Sequence, residues 1–354
     1  MNVVNLSELD PSWNWLSGLA HPARPVHWAH ASTRSPPVPG WLPRAATLRR
    51  ALAGWRSIGL LGDDAQGLLV SHGPRMTMYG AFAARLRRRR PRHLAYSFNF
   101  TELPQGRMRR AMADAFASVD RFVCFSQMER QLYARHFDLD PERIDMIHWA
   151  ARPPRVDPGT APRVPGDYAC ALGSQGRDYA TLIAAMRTLP AIRLVIVATS
   201  ESLGGLAIPD NVEVLIGIPL AQAMNVLQHS RFSVVPLRGA EVPCGHVTLV
   251  SAMHCAKATI VSASSGVSDY VTHEVTGIAV PVADVRALAG AIERLWGDAA
   301  AARTLGDAAK AFAAAYCGED AAVAYLENYL NTPTPSTPDL GTPRSARKST
   351  GDPR

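Results

Sequence analysis

The stretch RFSVVPLRGAEVPCGHVTLVSAM, residues 231–253, joins a predicted strand to a predicted helix, and the fold prediction starts there. Phe232–Val235 is a short apolar run of the kind that forms buried strands, and Val247–Cys255 has the apolar content of a packed helix. Gly245 and His246 stand where that helix begins, and its unpaired backbone N–H groups and dipole favour an anionic ligand. A buried histidine beside an ordinary N-cap turn is the alternative interpretation.

Short apolar runs alternate with helical patterns on both sides of this stretch, as in parallel βαβ sheets. The other predicted strands are Gly67–Ser71, His93–Asn99, Arg121–Ser126, Arg143–His148, Tyr168–Leu172, Arg193–Thr199, Val212–Ile216 and Thr259–Val261. The other predicted helices are Thr77–Arg90, Arg107–Ala117, Gln127–His136, Tyr179–Thr188 and Leu220–His229, with three more beginning near Asp284, Ala299 and Gly318. Before residue 66, RPVHWAHAS reads as a possible first strand and RAATLRRALAGW as a helix.

The length of 354 residues suits two domains, and the proline-rich passage at 151–167 interrupts the βα pattern as a linker does. We therefore predict an α/β protein of two facing doubly wound Rossmann-like domains, at 1–150 and 168–330. Residues 331–354 contain almost no apolar side chains, and we expect a disordered tail there. Ligands of such sheets bind outside the carboxyl ends of the strands, so the cleft between the domains is the expected site.

Composition limits the classes of protein that remain. Apolar residues make up 47% of the chain, which indicates a folded protein, and the longest apolar runs are too short to span a bilayer. No export signal is visible. The five cysteines are widely spread without metal-ligand spacing, so we expect reduced thiols in the cytoplasm and no metal site. The net charge of +7 suits nucleic acid, a lipid surface or a phosphorylated substrate equally.

A second glycine-led loop, GSQGRDYATLIAAM at residues 173–186, follows the predicted strand Tyr168–Leu172. Its glycines allow close backbone approach, and Arg177 would add a fixed positive fork for phosphate oxygens. The alternative is a plain turn in which Asp178 caps the helix and Arg177 is solvated. The loop does not match the P-loop pattern, which argues against a P-loop ATPase.

The segments GRDYATLIAAM, NVEVLIGIP, GHVTLVSAM, KATIVSASSGVSDYV and TGIAVPVADVRALAGAIERLW together resemble the donor-binding half of GT-B glycosyltransferases similar to family 4, group 1, retaining enzymes. RFVCFSQMERQLYARHFDLDPERIDMIHWAARPP is similar to the last strand, helix and interdomain link of that family's N-terminal half. The resemblance covers roughly Leu68 to Leu330.

This resemblance implies a nucleotide-diphosphate sugar as donor and sugar transfer with retention, by a hexosyl- or related glycosyltransferase without metal or further cofactor. The implied acceptor is a glycan, a lipid-linked molecule or a small molecule. The implied donor-binding residues are Gly173, Ser174, Gly176, Gly217, Ile218, Gly245, His246, Val247, Thr248 and Ser251. The implied catalytic residues are Arg177, His72 and Glu241, with His27 and His30 as other candidates for the histidine. The implied acceptor-side residues are Asn99, Thr101 and Glu102.

The chain departs from the family at the motif of two glutamates separated by seven residues. Ser251 stands at the second glutamate position and Pro243 at the first, while Glu241 lies two residues early. The lysine common beyond the first phosphate loop is also missing, which leaves Arg177 as the cation. A catalytically inactive GT-B-like binding or scaffold protein, or a sugar-nucleotide epimerase on the same fold, therefore remains an alternative.

The run RLRRRRPRH at residues 85–93 ends a helix with five arginines, Arg85, Arg87, Arg88, Arg89 and Arg90. Their charges could simply complement the helix dipole in solvent, or they could contact anionic lipid headgroups. Nucleic acid is not expected, because no recognition motif or array of stacking aromatic residues accompanies the run. The predicted location is the cytoplasm, with peripheral contact at the cytoplasmic membrane face as an option.

Overall fold

The structure is a computed structural model that describes residues 1–10, 12–13, 16–17, 25–35, 41, 44–154, 159–241 and 244–332. Its strands form two six-stranded sheets, and every strand pair is parallel. The predicted class, α/β with two Rossmann-like domains, is confirmed. No helix in these residues has the length and apolar character needed to cross a membrane.

The first sheet has the order β2-β1-β3-β4-β5-β6. Its strands are β1 (Asn2–Ser7), β2 (His27–Ser32), β3 (Leu68–His72), β4 (Arg92–Tyr96), β5 (Arg121–Cys124) and β6 (Ile144–Met146). The helices between them are α1 (Ala45–Leu61), α2 (Pro74–Leu86), α3 (Gly106–Phe116) and α4 (Gln127–Phe137). Their apolar stripes pack on one face of the sheet, where α1 and α2 cover Val4, Leu6 and Leu69.

The second sheet has the order β12-β11-β10-β7-β8-β9. Its strands are β7 (Ala169–Leu172), β8 (Leu194–Ala198), β9 (Val212–Ile216), β10 (Ser233–Val235), β11 (Thr259–Ser262) and β12 (Ile278–Val280). Its helices are α5 (Tyr179–Arg187), α6 (Ser200–Leu203), α7 (Leu220–His229), α8 (His246–His254), α9 (Val285–Gly297) and α10 (Ala299–Tyr316). α5 and α9 cover one face, and α7 and α8 cover the other.

The last helix, α11 (Glu319–Asn331), lies at the end of the range predicted for the C-terminal domain but packs on the first sheet. Its buried side chains Ala322, Leu326 and Leu330 recur every four residues and pack against Val3 and Leu68 of the first sheet. The helix crosses back because α1–α4 occupy only one face of that sheet and the other face needs an apolar cover. The N-terminal lobe therefore consists of β1–β6, α1–α4 and α11.

The predicted linker is partly packed on the C-terminal lobe. Val164 is buried, and the backbone N–H of Arg163 donates to Asn225 Oδ1 at 2.7 Å. Residues 155–158 of the linker and 333–354 of the predicted tail lie outside the described residues.

The two lobes touch through Asp269 and Tyr270. Tyr270 Oη donates to the carbonyl of Phe125 at 2.7 Å and accepts from the backbone N–H of Trp149 at 2.8 Å. Asp269 Oδ2 accepts from the backbone N–H of Gln127 at 2.8 Å. These bonds tie the first turn of α4 and the chain after β6 to the C-terminal lobe.

Candidate functional site

The C-terminal sheet reverses its strand order at β7, which pairs with β10 on one side and β8 on the other. The chain leaves β7 for α5 on one face and leaves β10 for α8 on the opposite face. A crevice opens at the carboxyl ends of strands where successive connections diverge in this way. Both glycine-led loops singled out in the sequence border this crevice.

The two loops are bonded directly to each other. The backbone N–H of Asp178 donates to the carbonyl of Pro236 at 3.0 Å, and the N–H of Arg238 donates to the carbonyl of Gly176 at 3.0 Å. Arg177 and Leu237 form an isolated antiparallel bridge between these bonds. The convergence on which the sequence interpretation depends is therefore present.

Arg177 lies beneath the loops and is only 4% exposed. Its Nε donates to the carbonyl of Leu172 at 3.1 Å, Nη1 to that of Gln175 at 3.0 Å, and Nη2 to Thr248 Oγ1 at 3.0 Å. Protein acceptors therefore fix this guanidinium fork, and the alternative of a solvated Arg177 is wrong. Burial lowers the pKa of Arg177, yet an arginine remains charged in proteins.

Within the described residues, this buried charge has no carboxylate partner. Arg177 forms no ion pair there and its oxygen acceptors are neutral, while its remaining side-chain partner is the thiol of Cys244, whose pKa burial raises. Buried charges in proteins are normally paired, since desolvation of a lone ion is costly. The crevice therefore has a positive floor that an anion would complement.

The two leading glycines are required by this arrangement. Gly173 has φ +102°, and a Cβ there would lie 2.7 Å from Arg177 Nη2. Gly245 has φ +101°, and a Cβ there would lie 3.3 Å from Leu237 Cδ2. Glycine tolerates this backbone conformation at little cost, and the missing side chain leaves room for the guanidinium.

The starts of the two helices differ. Asp178 caps α5 by accepting from the backbone N–H of Thr181 at 3.1 Å, so its carboxylate already occupies that helix start. Gly245 precedes α8, and no side chain caps that helix. The sequence interpretation counted both helix starts as anion sites. In the structure, of these two, the start of α8 has backbone N–H groups that no side chain caps.

Several predicted donor-binding side chains of α8 are turned into the protein. His246 is 5% exposed, its Nε2 donates to the carbonyl of Gly266 at 2.7 Å, and burial lowers its pKa to about 4. Ser251 Oγ donates to the carbonyl of Val247 at 2.7 Å, within the helix. The His246 and Ser251 side chains are therefore bonded to protein carbonyls, whereas Val247 is 57% exposed at the helix start.

The remaining donor-side positions follow the neighbouring strands. Ser174 Oγ accepts from the backbone N–H of Thr199, which joins the loops after β7 and β8. Gly217 and Ile218 follow the edge strand β9, and Gly217 is exposed with φ +65°. Two strand spacings, roughly 10 Å, separate the ends of β7 and β9, so these residues lie at the far side of the crevice.

The N-terminal lobe faces this crevice with the loop after β4. Thr101 Oγ1 accepts from Gln175 Nε2 at 2.6 Å, which links the acceptor-side loop to the first glycine-led turn. Asn99 and Glu102 are exposed on the same loop. Glu241 is also exposed and borders an interdomain cavity of about 250 Å³ with Gln131 and Arg135 of α4. Pro243 lies outside the described residues.

His72 ends β3 in a different cavity, of about 590 Å³, that Trp13, Tyr96 and Trp149 also line. Its Nε2 lies 3.4 Å from Asn5 Oδ1, and its ring meets that of Trp13 edge-on. Burial lowers the pKa of His72 to about 3, so the imidazole is neutral near pH 7. The other candidates lie on β2, where His27 is exposed and His30 Nε2 is 2.9 Å from Ser7 Oγ.

The sequence interpretation missed the residues that join the lobes. Gln175 was included only as part of a loop, and Asp269 and Tyr270 were not singled out. A lone glutamine or tyrosine in a loop gives no periodic signal, so only the tertiary structure identifies these contacts. Within the described ranges, no group of three or more His, Cys, Asp or Glu side chains has the geometry to hold a metal ion.

Comparisons with known proteins agree with this architecture. Residues 173–298 match the family model described as Glycosyl transferases group 1. No curated protein sequence matches the chain. Sucrose-phosphate synthase from Thermosynechococcus elongatus is similar in structure over 93% of this chain and 97% of that chain, with a TM-score of 0.69 and 18% identity.

Two further solved structures are similar. HepE from Anabaena, in complex with UDP and glucose, aligns over 87% of this chain and 86% of its own, with a TM-score of 0.65 and 15% identity. A glycosyltransferase from Rickettsia africae aligns over 93% of this chain and 97% of its own, with a TM-score of 0.66 and 13% identity. The chain thus has the GT-B fold, and residues 173–298 within it match the Glycosyl transferases group 1 model.

Proposed function

We propose that this protein is a glycosyltransferase that transfers a hexosyl or related sugar from a nucleotide-diphosphate sugar to a glycan, lipid-linked or small-molecule acceptor, with retention. The family match over the loops of the crevice supports the reaction class. The neighbour HepE was crystallised with UDP-glucose, which supports the class of donor. The five cysteines are free thiols, as suits the cytoplasm, where we place the reaction.

The observation that carries the proposal is the buried guanidinium of Arg177 between the two glycine-led loops, without a carboxylate partner among the described residues. An anion seated above it, at the uncapped start of α8, would gain from the buried charge and from the helix N–H groups together. A diphosphate fits this description because it carries several oxygens and spans both turns. Gly173 and Gly245 leave the backbone open on either side of it.

In this proposal the leaving diphosphate is stabilised as the bond to the sugar breaks. Negative charge grows on the phosphate oxygens, and fixed donors aimed at them lower the barrier. Arg177 and the amides near Val247 supply that positive charge, so the proposed reaction needs no metal. The nucleobase would lie near Gly217 and Ile218.

The acceptor would enter from the N-terminal lobe. Asn99, Thr101 and Glu102 stand on the loop that already contacts Gln175, and Glu241 stands on the opposite lobe. His72 stays the candidate histidine, although the cavity that it lines does not include residues of the two glycine-led loops.

A binding protein without turnover is the second candidate. Ser251 stands where the family has a glutamate, and its hydroxyl is bonded within its own helix. A chain that binds the nucleotide but lacks this carboxylate would act as a scaffold.

The test is to incubate the protein with a panel of UDP- and GDP-sugars and to measure nucleotide binding, nucleotide release and sugar products. Release of nucleotide with sugar on an acceptor is the expected outcome. Binding without release favours the scaffold, interconversion of sugar isomers favours an epimerase, and absence of binding contradicts the proposal.

A substitution at the start of α8 locates the diphosphate. Val247→Glu places a carboxylate beside the helix N-terminus, where it suits the dipole but repels a bound anion. We expect nucleotide affinity to fall by about tenfold or more without loss of thermal stability. Ala299→Glu at the exposed start of α10 is the matched control and should leave affinity unchanged. Equal nucleotide affinities in the two variants would mean that the diphosphate does not bind at the start of α8.

A further inference from the structure

An apolar groove of about 590 Å³ runs between α1 and α2 on the outer surface of the N-terminal lobe. Leu52 and Trp55 of α1 form one wall, and Phe82 and Leu86 of α2 form the other. Leu86 is 74% exposed and Trp55 is 45% exposed. Such large apolar side chains are rarely left in water side by side unless they meet a partner. We call this feature the α1–α2 groove.

The positive charge of the chain is concentrated around this groove. Residues 44–110 contain fourteen arginines and three acidic residues, whereas the whole chain has a net charge of only +7. The rest of the protein is therefore net negative. This segment comprises α1, α2, the start of α3 and the two strands between them. Arg92 of β4 turns to Tyr329 of α11 on the opposite face. The other thirteen arginines lie on or next to α1–α3, which cover the outer face of the sheet, so that face is basic.

The arginines beside the groove are arranged in two ways. Arg85 pairs with Asp114 at 2.8 Å, Arg89 pairs with Asp63, and the guanidinium of Arg87 lies 4.0 Å from the ring centre of Trp55. Arg88 and Arg90 are exposed, and neither forms an ion pair with any residue that the structure describes. The sequence suggested that all five act alike, whereas the structure leaves Arg88 and Arg90 as the ones open to an external anion.

We propose that the α1–α2 groove and its arginine rim dock on an anionic lipid bilayer. Leu86, Leu52 and Trp55 would enter the boundary between headgroups and acyl chains, and Arg88 and Arg90 would contact lipid phosphates. An apolar strip flanked by arginines is the arrangement that binds a membrane surface without spanning it. Arg87 over Trp55 keeps its charge near the interface while the indole provides apolar area.

Other occupants fit this face less well. A nucleic acid would neutralise the arginines, but it would leave the exposed leucines against its charged backbone. A second copy joined across a twofold axis would set two arginine clusters against each other, at a cost from like charges. A bilayer satisfies both the apolar and the charged parts. Docking through the helices also leaves the crevice at the carboxyl ends of the strands open.

The experiment is co-sedimentation of the full chain with vesicles of phosphatidylcholine alone or mixed with phosphatidylglycerol, in the absence of sugar nucleotide. We expect binding to the mixed vesicles, weaker binding at high salt and little binding to phosphatidylcholine alone. Arg88→Glu with Arg90→Glu should lower the bound fraction by about tenfold or more. Leu86→Glu should do the same while leaving the charge of the arginines intact.

Arg286→Glu with Arg303→Glu, two exposed arginines of the C-terminal lobe, is the matched charge control, and Leu220→Glu, 73% exposed on α7, is the matched apolar control. Both should bind vesicles as the wild type does. Equal binding to neutral and anionic vesicles, or an unchanged Leu86→Glu variant, would overturn the proposal. So would a dimer that Leu86→Glu dissociates, or an oligonucleotide that the wild type binds more tightly than vesicles. Since no substrate is present, a failure here leaves sugar transfer untouched.

Discussion

Single residues decide whether the two glycine-led turns can meet. Arg177 bonds the turn after β7 to Thr248 of α8, and Gly173 leaves the space that its guanidinium fills. The same guanidinium is a buried charge with neutral oxygen acceptors. One residue therefore has a structural role in bonding the loops and an electrostatic role toward a ligand, and these roles can be separated experimentally.

Gly173→Ala tests the space around Arg177. The added Cβ would lie 2.7 Å from Nη2, at a φ of +102° that other residues rarely adopt. We expect the free energy of unfolding to fall by about 2 kcal/mol or more. Gly290→Ala in the interior of α9, where nothing lies within 4 Å, is the control and should raise it by about 0.5–1 kcal/mol. Urea denaturation of both variants measures the difference, and similar values for the two would contradict the steric argument.

Arg177→Met tests the charge. Loss of three bonds to a charged group costs about 1.5–3 kcal/mol each, but removal of an unpaired buried ion returns several kcal/mol. Because these effects oppose each other, we expect a change in unfolding free energy within about 2 kcal/mol and a fall in nucleotide affinity of about 100-fold. Calorimetric titration with UDP or GDP measures the affinity, and Arg187→Met at the exposed end of α5 is the control. Wild-type affinity in Arg177→Met would mean that the guanidinium does not contribute to nucleotide binding.

At the scale of elements, periodicity predicted most of the fold. The bounds of β9 and α7 agree with their predicted ranges, since each has a clear apolar run and a proline or glycine at one end. β1 and β12 were missed, because β1 mixes Asn5 and Ser7 into its buried run and β12 has only three residues. The sequence also located the site loops and offered the Asp178 cap and a buried His246 as alternatives, both of which the structure shows. It could not decide for the buried histidine, because that arrangement depends on the tertiary contact with Gly266.

The crossing helix α11 provides a test at this scale. Leu326 is fully buried against the first sheet, far along the chain from the lobe that it completes. We expect Leu326→Ala to lower the unfolding free energy by about 2–5 kcal/mol, the range for a leucine cavity. Hydrogen exchange should show the loss of protection in β1 and β3, whereas Leu220→Ala, 73% exposed on α7, should change nothing. Loss of protection confined to β7–β9 would mean that α11 packs on the C-terminal lobe and would contradict this assignment.

For the whole molecule, buried titratable groups set the pH range of the fold. Burial lowers the pKa of His72 and His93 to about 3 and that of His246 to about 4, from an ordinary 6.5. Burial raises the pKa of Glu129 to about 7, from 4.5. The histidines contribute stability that is present above pH 6.5 and lost as the pH falls toward 4. Glu129 acts in the opposite sense, since its contribution is complete below pH 4.5 and is lost as the pH rises through 7.

Three histidines outweigh one glutamate on the acid side. We expect stability to fall as the pH drops below 6.5, with each buried histidine adding about 1.4 kcal/mol per pH unit. His246→Gln should make that dependence shallower, because one fewer proton binds on unfolding, while the exposed His273→Gln follows the wild type. Urea denaturation between pH 4.5 and 8 provides the slopes. A wild-type slope in His246→Gln would mean that His246 is not buried neutral.

The buried guanidinium of Arg177 also affects the choice of buffer and precipitant for this protein. Free phosphate and sulfate offer the same oxygens as a diphosphate, so we expect either ion to occupy the start of α8 and to compete with a sugar nucleotide. Measurements in phosphate buffer would then underestimate both affinity and rate. Sulfate from an ammonium sulfate precipitant would occupy the site in crystals and keep a sugar nucleotide from binding, while it stabilises the two loops that border the site.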